Sequence, residues 1–207
     1  ATFLLEDYGD KFGTEVHSKL ETMKSLSNHM GRLIESLLHY SRVGWVDLAV
    51  EEVDLNESLK EVLDSLDFSL KERNIILRIP RPLPKVYCDR ARVGEVFSNL
   101  ISNASKYNDK PDKWIEIGFE EHMDHGYRLP TVFFVRDNGI GIQEKHIESI
   151  FRIFKRLHVR NEFGGGAGAG LTIVKKIVER HGGWIRVESQ YGQGTTFYFT
   201  LEKDGGS

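Results

Sequence analysis

The stretch from Asp89 to Tyr107, DRARVGEVFSNLISNASKY, constrains this chain more than any other. Val93, Val96, Phe97, Leu100, Ile101 and Ala104 recur at helical spacing and form one apolar face. Glu95, Asn99, Asn103 and Lys106 recur at intervals of four, four and three, and line a second, polar face. Asp89 stands where a cap belongs, its side-chain oxygen able to take an unpaired N–H of the first turn. Asparagine is a poor mid-helix residue because its amide competes for backbone hydrogen bonds. A metal–phosphate ligand would justify two of them on one face; a solvated polar face is the plain alternative.

The rest of the chain reads as helix, then α+β. Residues 1–8 resemble the last turns of a helix, broken at Gly9-Asp10 and Gly13. From Thr14 to Val43 a long helix is expected, stopped by Gly44. Leu20, Met23, Ser27, Met30, Ile34, Leu37 and Ser41 form a heptad seam, with Leu26, Leu33 and Tyr40 as a second stripe. Two adjoining apolar stripes call for more than one partner. A hairpin that dimerises into a four-helix bundle fits, and so does packing of a single helix on the domain C-terminal to it.

After a connector and short strand at 45–54, a second amphipathic helix runs from Asn56 to Arg73. Strands are expected at 75–79, 86–88, 114–120, 127–136, 184–189 and 195–201, and helices at 144–151 and 171–179. The fold class is therefore α+β: a two-layer α/β sandwich, a mixed sheet with helices on one face, preceded by a partial helical hairpin. The expected division is 1–46 for the hairpin, 47–202 for the sandwich and 203–207 for a disordered tail.

Bulk properties narrow the function. A net charge of -3 gives no electrostatic reason for nucleic acid or an anionic membrane as partner. The single cysteine, Cys88, rules out an internal disulfide, and after Val86-Tyr87 it reads as a buried small residue. No apolar run is long enough to span a bilayer and no signal peptide is visible, so a cytoplasmic location without membrane insertion is the default. Ala1 falls inside a helix-like phrase, and the chain reads as a piece of something longer.

Two further segments carry chemistry. The strand ending at Arg136 runs into Asp137-Asn138-Gly139-Ile140-Gly141, where the glycines allow a sharp turn and close approach to a ligand. An ordinary turn would look the same. Later, Gly164 to Gly170 holds five glycines in seven positions and opens directly onto the helix starting at Leu171. Free N–H groups and the positive dipole end at such a helix start suit phosphate; a flexible linker is the alternative. The spacing matches neither the P-loop nor the Rossmann pattern.

Taken in this order, the segments resemble the histidine-kinase family, within the superfamily that shares its ATP fold with gyrase, mismatch-repair ATPases and the large heat-shock chaperones. NLISNASKY is similar to that family's asparagine box, DNGIGI to its first glycine box, FRIFKR to its phenylalanine box, GAGAGL to its second glycine box and GQGTTF to its last. The match covers about residues 50–201. HYSRVG, YNDKPDKWIEIG and GAGAGLTIVKKIVERHGG are more narrowly similar to phytochrome-type light-sensing kinases.

The resemblance implies the cofactors ATP and Mg²⁺ and a role for each matching residue. Asn103 would ligate Mg²⁺ bridging the phosphates, a plausible use of a neutral amide oxygen where phosphates balance the metal. Asn99 would hold the metal's water shell, Lys106 would contact phosphate, and Tyr107 would pack beside the nucleotide. Asp137 would accept from the adenine amino group, with Gly139 and Gly141 close to the base and Thr195 fixing its edge. Gly166, Gly168, Gly170 and Leu171 would wrap the triphosphate under a lid running from about Phe154. Arg156 is the candidate contact to the transferred phosphate; Arg152 reads as a solvated charge.

In this family the acceptor is a His with an acidic residue next in sequence. His17, His29 and His39 precede Ser18, Met30 and Tyr40, so the acceptor is expected upstream. Ala167 stands where many relatives carry Thr. The implied function is the catalytic part of a two-component sensor histidine kinase. Its implied partners are a response-regulator receiver domain and a second copy of the chain. An ATPase of the same superfamily would carry Glu at the position of Asn99. A docking module with a dead nucleotide site is the third alternative.

Overall fold

In the computed structural model the described residues are 3, 13–121, 123–124, 127–152 and 168–202. Expectations for residues 1–8 (Phe3 apart), Arg156, Gly166, most of the lid and the 203–207 tail lie outside them. The first described helix, α1, is Thr14–Trp45; it passes through Gly44 and ends one residue later. The next elements are β1 (Val50–Asp54), α2 (Leu55–Glu72), β2 (Ile76–Arg78), β3 (Lys85–Asp89), α3 (Arg90–Lys106) and β4 (Trp114–Glu120). Then come β5 (Met123–Asp124), β6 (Tyr127–Arg128), β7 (Val132–Asp137), α4 (Glu144–Ile147), α5 (Gly170–Arg180), β8 (Ile185–Gln190) and β9 (Gly194–Phe199).

Two expectations need correction. The strand expected over 127–136 is two elements. Tyr127–Arg128 pairs with Met123–Asp124 as a small hairpin, and β7 starts after Pro130, whose ring removes a ladder donor. The helix expected at 144–151 is one turn, Glu144–Ile147, with turns from there to Phe151.

The main sheet runs β2-β4-β7-β9-β8, with β2 and β4 parallel and every other pair antiparallel. A separate two-stranded ladder joins β1 to β3. Strand alternation sends Phe133, Val135 and Asp137 of β7 to one face with Phe199, Phe197 and Thr195 of β9. On that face α3 and α5 pack. Phe97 of α3 meets Phe199 edge-on with ring centroids 5.6 Å apart, and Phe133 stacks on Phe199 at 5.5 Å. The helical residues Val96, Leu100, Ile101, Val174 and Ile177 are fully buried in the same cluster. The other face carries Phe134 and Tyr198, with Arg136 lying over Phe134 and Arg186 over Tyr198. Helices thus cover one face, as the sequence predicts.

Helix α1 meets this body through its C-terminal end. Val43 is buried, and the Arg180 guanidinium donates to the carbonyl of Val43 at 2.6 Å and to that of Val46. His39 bonds Glu95 of α3 at 2.5 Å. Farther from that end the apolar seam is exposed: Met23, Met30, Ile34 and Leu37 each keep at least half of their surface. No described helix is long and apolar enough to cross a membrane.

Candidate functional site

The Asp89 carboxylate accepts the Arg92 N–H at 3.1 Å and so caps α3, as expected, and its second oxygen takes the Ala49 N–H at 3.0 Å. The Asp89 N–H in turn donates to His181 Nε2 at 3.0 Å, while His181 Nδ1 bonds the Ile177 carbonyl at 2.8 Å. The end of α5 therefore fixes the start of α3. This His181 contact joins residues 92 apart in sequence, and the pattern alone gives no signal for it.

On the polar face of α3, the Asn99 amide donates back to the Glu95 carbonyl at 2.9 Å, the competition with the helix that asparagine invites. Its Oδ1 faces the first residue of α5: a Cβ built on Gly170 would stand 2.5 Å from it. Asn103 comes one turn later, half-buried, with no hydrogen bond to its side chain among the described residues. Lys106 Nζ lies 5.0 Å from the ring centre of Tyr107, whose N–H closes the helix on the Asn103 carbonyl. Gly168 has φ of 73°, Leu171 packs partly into the core, and no side chain caps the start of α5 at Ala169.

The turn after β7 supplies the second half. Asp137 is 9% exposed, and its Oδ1 accepts the Gly139 N–H at 2.8 Å. Burial pushes its carboxyl up to about 6, against the pull of the Gly139 and Thr195 N–H groups. The Ile140 N–H donates to the Tyr107 carbonyl at 3.0 Å, joining the end of α3 to this turn. A Cβ on Gly139 would stand 2.3 Å from the Tyr107 carbonyl oxygen, and one on Gly141 2.1 Å from that of Gln190. Gly141 also has φ of 68°, a conformation other residues rarely take.

Thr195 lies directly across from Asp137, and Ser189 directly across from Thr195. The structure thus brings Asp137, Gly139, Gly141 and Thr195 together and places Asn99 against Gly170. Tyr107 links the two groups. Arg152 is exposed, as a solvated charge would be.

Two contributors escape the motif reading. Asn138 Oδ1 accepts from the Asn108 side chain and the Trp114 N–H, both at 2.9 Å, and its Nδ2 donates to the Asp112 carbonyl at 2.7 Å. It ties the loop after α3 to the Asp137 turn; an Asn inside a turn is the signal that points to it. Ser189 Oγ takes the Ile142 N–H at 2.8 Å and stitches β8 to the same turn. Cys88 is fully buried and burial pushes its thiol up to about 11, which agrees with a packing role.

Comparison with known proteins identifies the family of the fold. A family model described as histidine kinase-, DNA gyrase B-, and HSP90-like ATPase matches residues 88–205. Cyanobacterial phytochrome B of Nostoc sp. is 57% identical over 98% of this chain, which spans 26% of that relative. Full-length ShkA, solved in complex with AMPPNP, superposes with a TM-score of 0.69 at 24% identity, covering 97% of this chain and 42% of that one. The histidine kinase ThkA, solved in complex with the response regulator protein TrrA, gives 0.64 at 23% identity, covering 91% and 51%. A buried carboxylate on a glycine turn, an asparagine-faced helix and a glycine-led helix start are brought together here. The chain belongs to the histidine kinase-, DNA gyrase B- and HSP90-like ATPase family.

Proposed function

We propose that this chain is the catalytic part of a two-component sensor histidine kinase, of phytochrome type, acting in the cytoplasm. Residues 47–202 would form the ATP-binding domain and residues 1–46 part of a dimerising hairpin. It binds Mg-ATP and passes the terminal phosphate to a histidine upstream of this stretch, from which a response-regulator receiver domain takes it. One observation carries the reading: the Asp137 carboxylate, buried and held by Gly139 and Thr195, faces a turn so tight that a side chain on Gly139 or Gly141 would strike backbone.

The residues fit the cofactors. Asp137 is a fixed acceptor for an amino group on a flat base, and Thr195 stands beside it. Asn103 would hold Mg²⁺, with Asn99 beside it and Lys106 and Tyr107 toward the nucleotide. Among the described residues no group of three His, Cys, Asp or Glu could hold a metal alone, which suits a cation that shares phosphate oxygens. Bound Mg²⁺ supplies neutralisation of phosphate charge. The uncapped start of α5, with Gly168, Gly170 and Leu171, offers N–H groups to phosphate; Gly166 and Arg156 complete the proposed lid.

A kinase suits the helix better than an ATPase. The carboxylate nearest Asn99 on that face, Glu95, is held by His39 at 2.5 Å and Arg92 at 3.4 Å. It is engaged rather than poised to activate water. The exposed seam on α1 supports a homodimer.

Calorimetric titration with Mg-ATP tests the proposal. Saturable heat that Asn103→Ala removes is expected, with very slow release of free phosphate and no radiolabel on His17, His29 or His39. Brisk hydrolysis would move the reading to an ATPase, and absence of heat to a docking module.

A further inference from the structure

A groove of about 650 Å³ lies between α2 and α3, bordered by Glu51 of β1. None of the residues assigned above to the nucleotide lines it. Its floor is small. Gly94 of α3 lies opposite α2, where an added Cβ would stand 3.6 Å from Ser58 Oγ. Ser58 is 2% exposed, yet its hydroxyl has no hydrogen-bond partner among the described residues. A hydroxyl at this depth ordinarily has one. This one is left facing the groove.

The walls are acidic. Glu51, Glu61, Asp89 and Glu95 line the groove against one guanidinium, that of Arg90. Three of these carboxylates are engaged. Glu61 takes Arg90 at 2.8 Å, Asp89 takes two backbone N–H groups, and Glu95 is held by His39 and Arg92. The Glu51 carboxylate has neither ion pair nor hydrogen bond among the described residues. No three His, Cys, Asp or Glu among them could hold a metal ion, so a bare divalent cation has no cage here. An ammonium needs less: one carboxylate and a lone pair satisfy most of its donors. The surplus of negative charge matches a ligand with more than one positive charge.

We propose that the groove between α2 and α3 binds a linear aliphatic polyamine, with Glu51 as charge anchor and the Ser58 hydroxyl as acceptor at the floor. The site is separate from the nucleotide reading and would stand if that reading failed.

The test is calorimetric titration of the whole chain with spermidine, putrescine and butylamine. Nucleotide is left out, because its phosphates would bind the amines too. Saturable heat is expected in physiological salt, with affinity falling in that order as charges are lost. Glu51→Gln should weaken spermidine binding about tenfold. Glu52→Gln removes the same charge from the next residue, which strand alternation sends to the other face of β1, and should leave affinity unchanged. Ser58→Ala should weaken binding about fivefold at an unchanged unfolding midpoint. Gly94→Ala provides a second variant: its methyl meets only ordinary contacts, keeps the fold and covers Ser58, so it should weaken binding as well. Absence of saturable heat with spermidine would overturn the proposal. So would butylamine binding as tightly as spermidine, or equal losses in Glu51→Gln and Glu52→Gln, which would reduce the effect to net charge. Full affinity in both Ser58→Ala and Gly94→Ala would do the same.

Discussion

Asn99 Oδ1 fills the space a side chain on residue 170 would need, 2.5 Å from where its Cβ would lie. The contact is with the end of a side chain, so an added methyl displaces the amide and spares the backbone. Gly170→Ala should therefore change stability by less than about 1 kcal/mol. Nucleotide affinity should fall about tenfold, because Asn99 turns away from the start of α5. Thermal denaturation and calorimetry on one sample check both; unchanged affinity removes Asn99 from the site.

Gly141→Ala behaves in the opposite way. Its neighbour is the Gln190 carbonyl oxygen at 2.1 Å, and its φ is 68°. Neither can yield without moving β8. A loss of about 3 kcal/mol in urea denaturation is expected, from strain plus overpacking.

Asp137 makes stability depend on pH. Its folded value of about 6 lies above the ordinary 3.8, so the folded chain holds this proton more tightly. That contribution is complete below 3.8 and is lost as pH rises through about 6. Wild-type stability relative to Asp137→Asn should thus fall by up to about 3 kcal/mol between acid and neutral solution. Affinity for ATP should rise over the same interval, since the ionised carboxylate accepts from an amino group more strongly than the carboxylic acid does. Denaturation midpoints and titrations across that range check the two halves.

The Ser105 hydroxyl is buried in α3 with no hydrogen-bond partner among the described residues. Ser105→Ala removes an unmet polar atom and leaves a small gap. The variant should be as stable as the parent or more so, within about 0.5 kcal/mol, by urea denaturation.

Arg180 serves two carbonyls at the end of α1, those of Val43 and Val46. Arg180→Ala leaves both without this donor. Limited proteolysis should cut faster between residues 44 and 49. The cost should be about 1.5 kcal/mol, with ATP affinity little changed.

Much of this was legible in the chain because its signals are local. The apolar period of α3, the Asp89 cap and the alternation in β4 each need neighbours only a few residues away. The structure reproduces all three. The break at Pro130 was also visible, since proline cannot donate to a ladder, yet the apolar run beyond it masked the stop. His181, Asn138 and Ser189 were out of reach for a different reason. Their partners lie at Asp89, at Asn108 and Trp114, and at Ile142, and only the folded topology brings those together.

The floor beside Asp137 has a consequence for how such a chain can change over time. An ordinary core exchanges volume between neighbours: one side chain shrinks and the next one grows. At Gly139, Gly141 and Gly194 the facing atoms are the carbonyl oxygens of Tyr107, Gln190 and Asp137, which every amino acid carries alike. No compensating substitution exists on the other side of these contacts. Drift at the three positions is blocked one residue at a time, and only an insertion or deletion that re-routes the main chain could open the floor to a bulkier occupant.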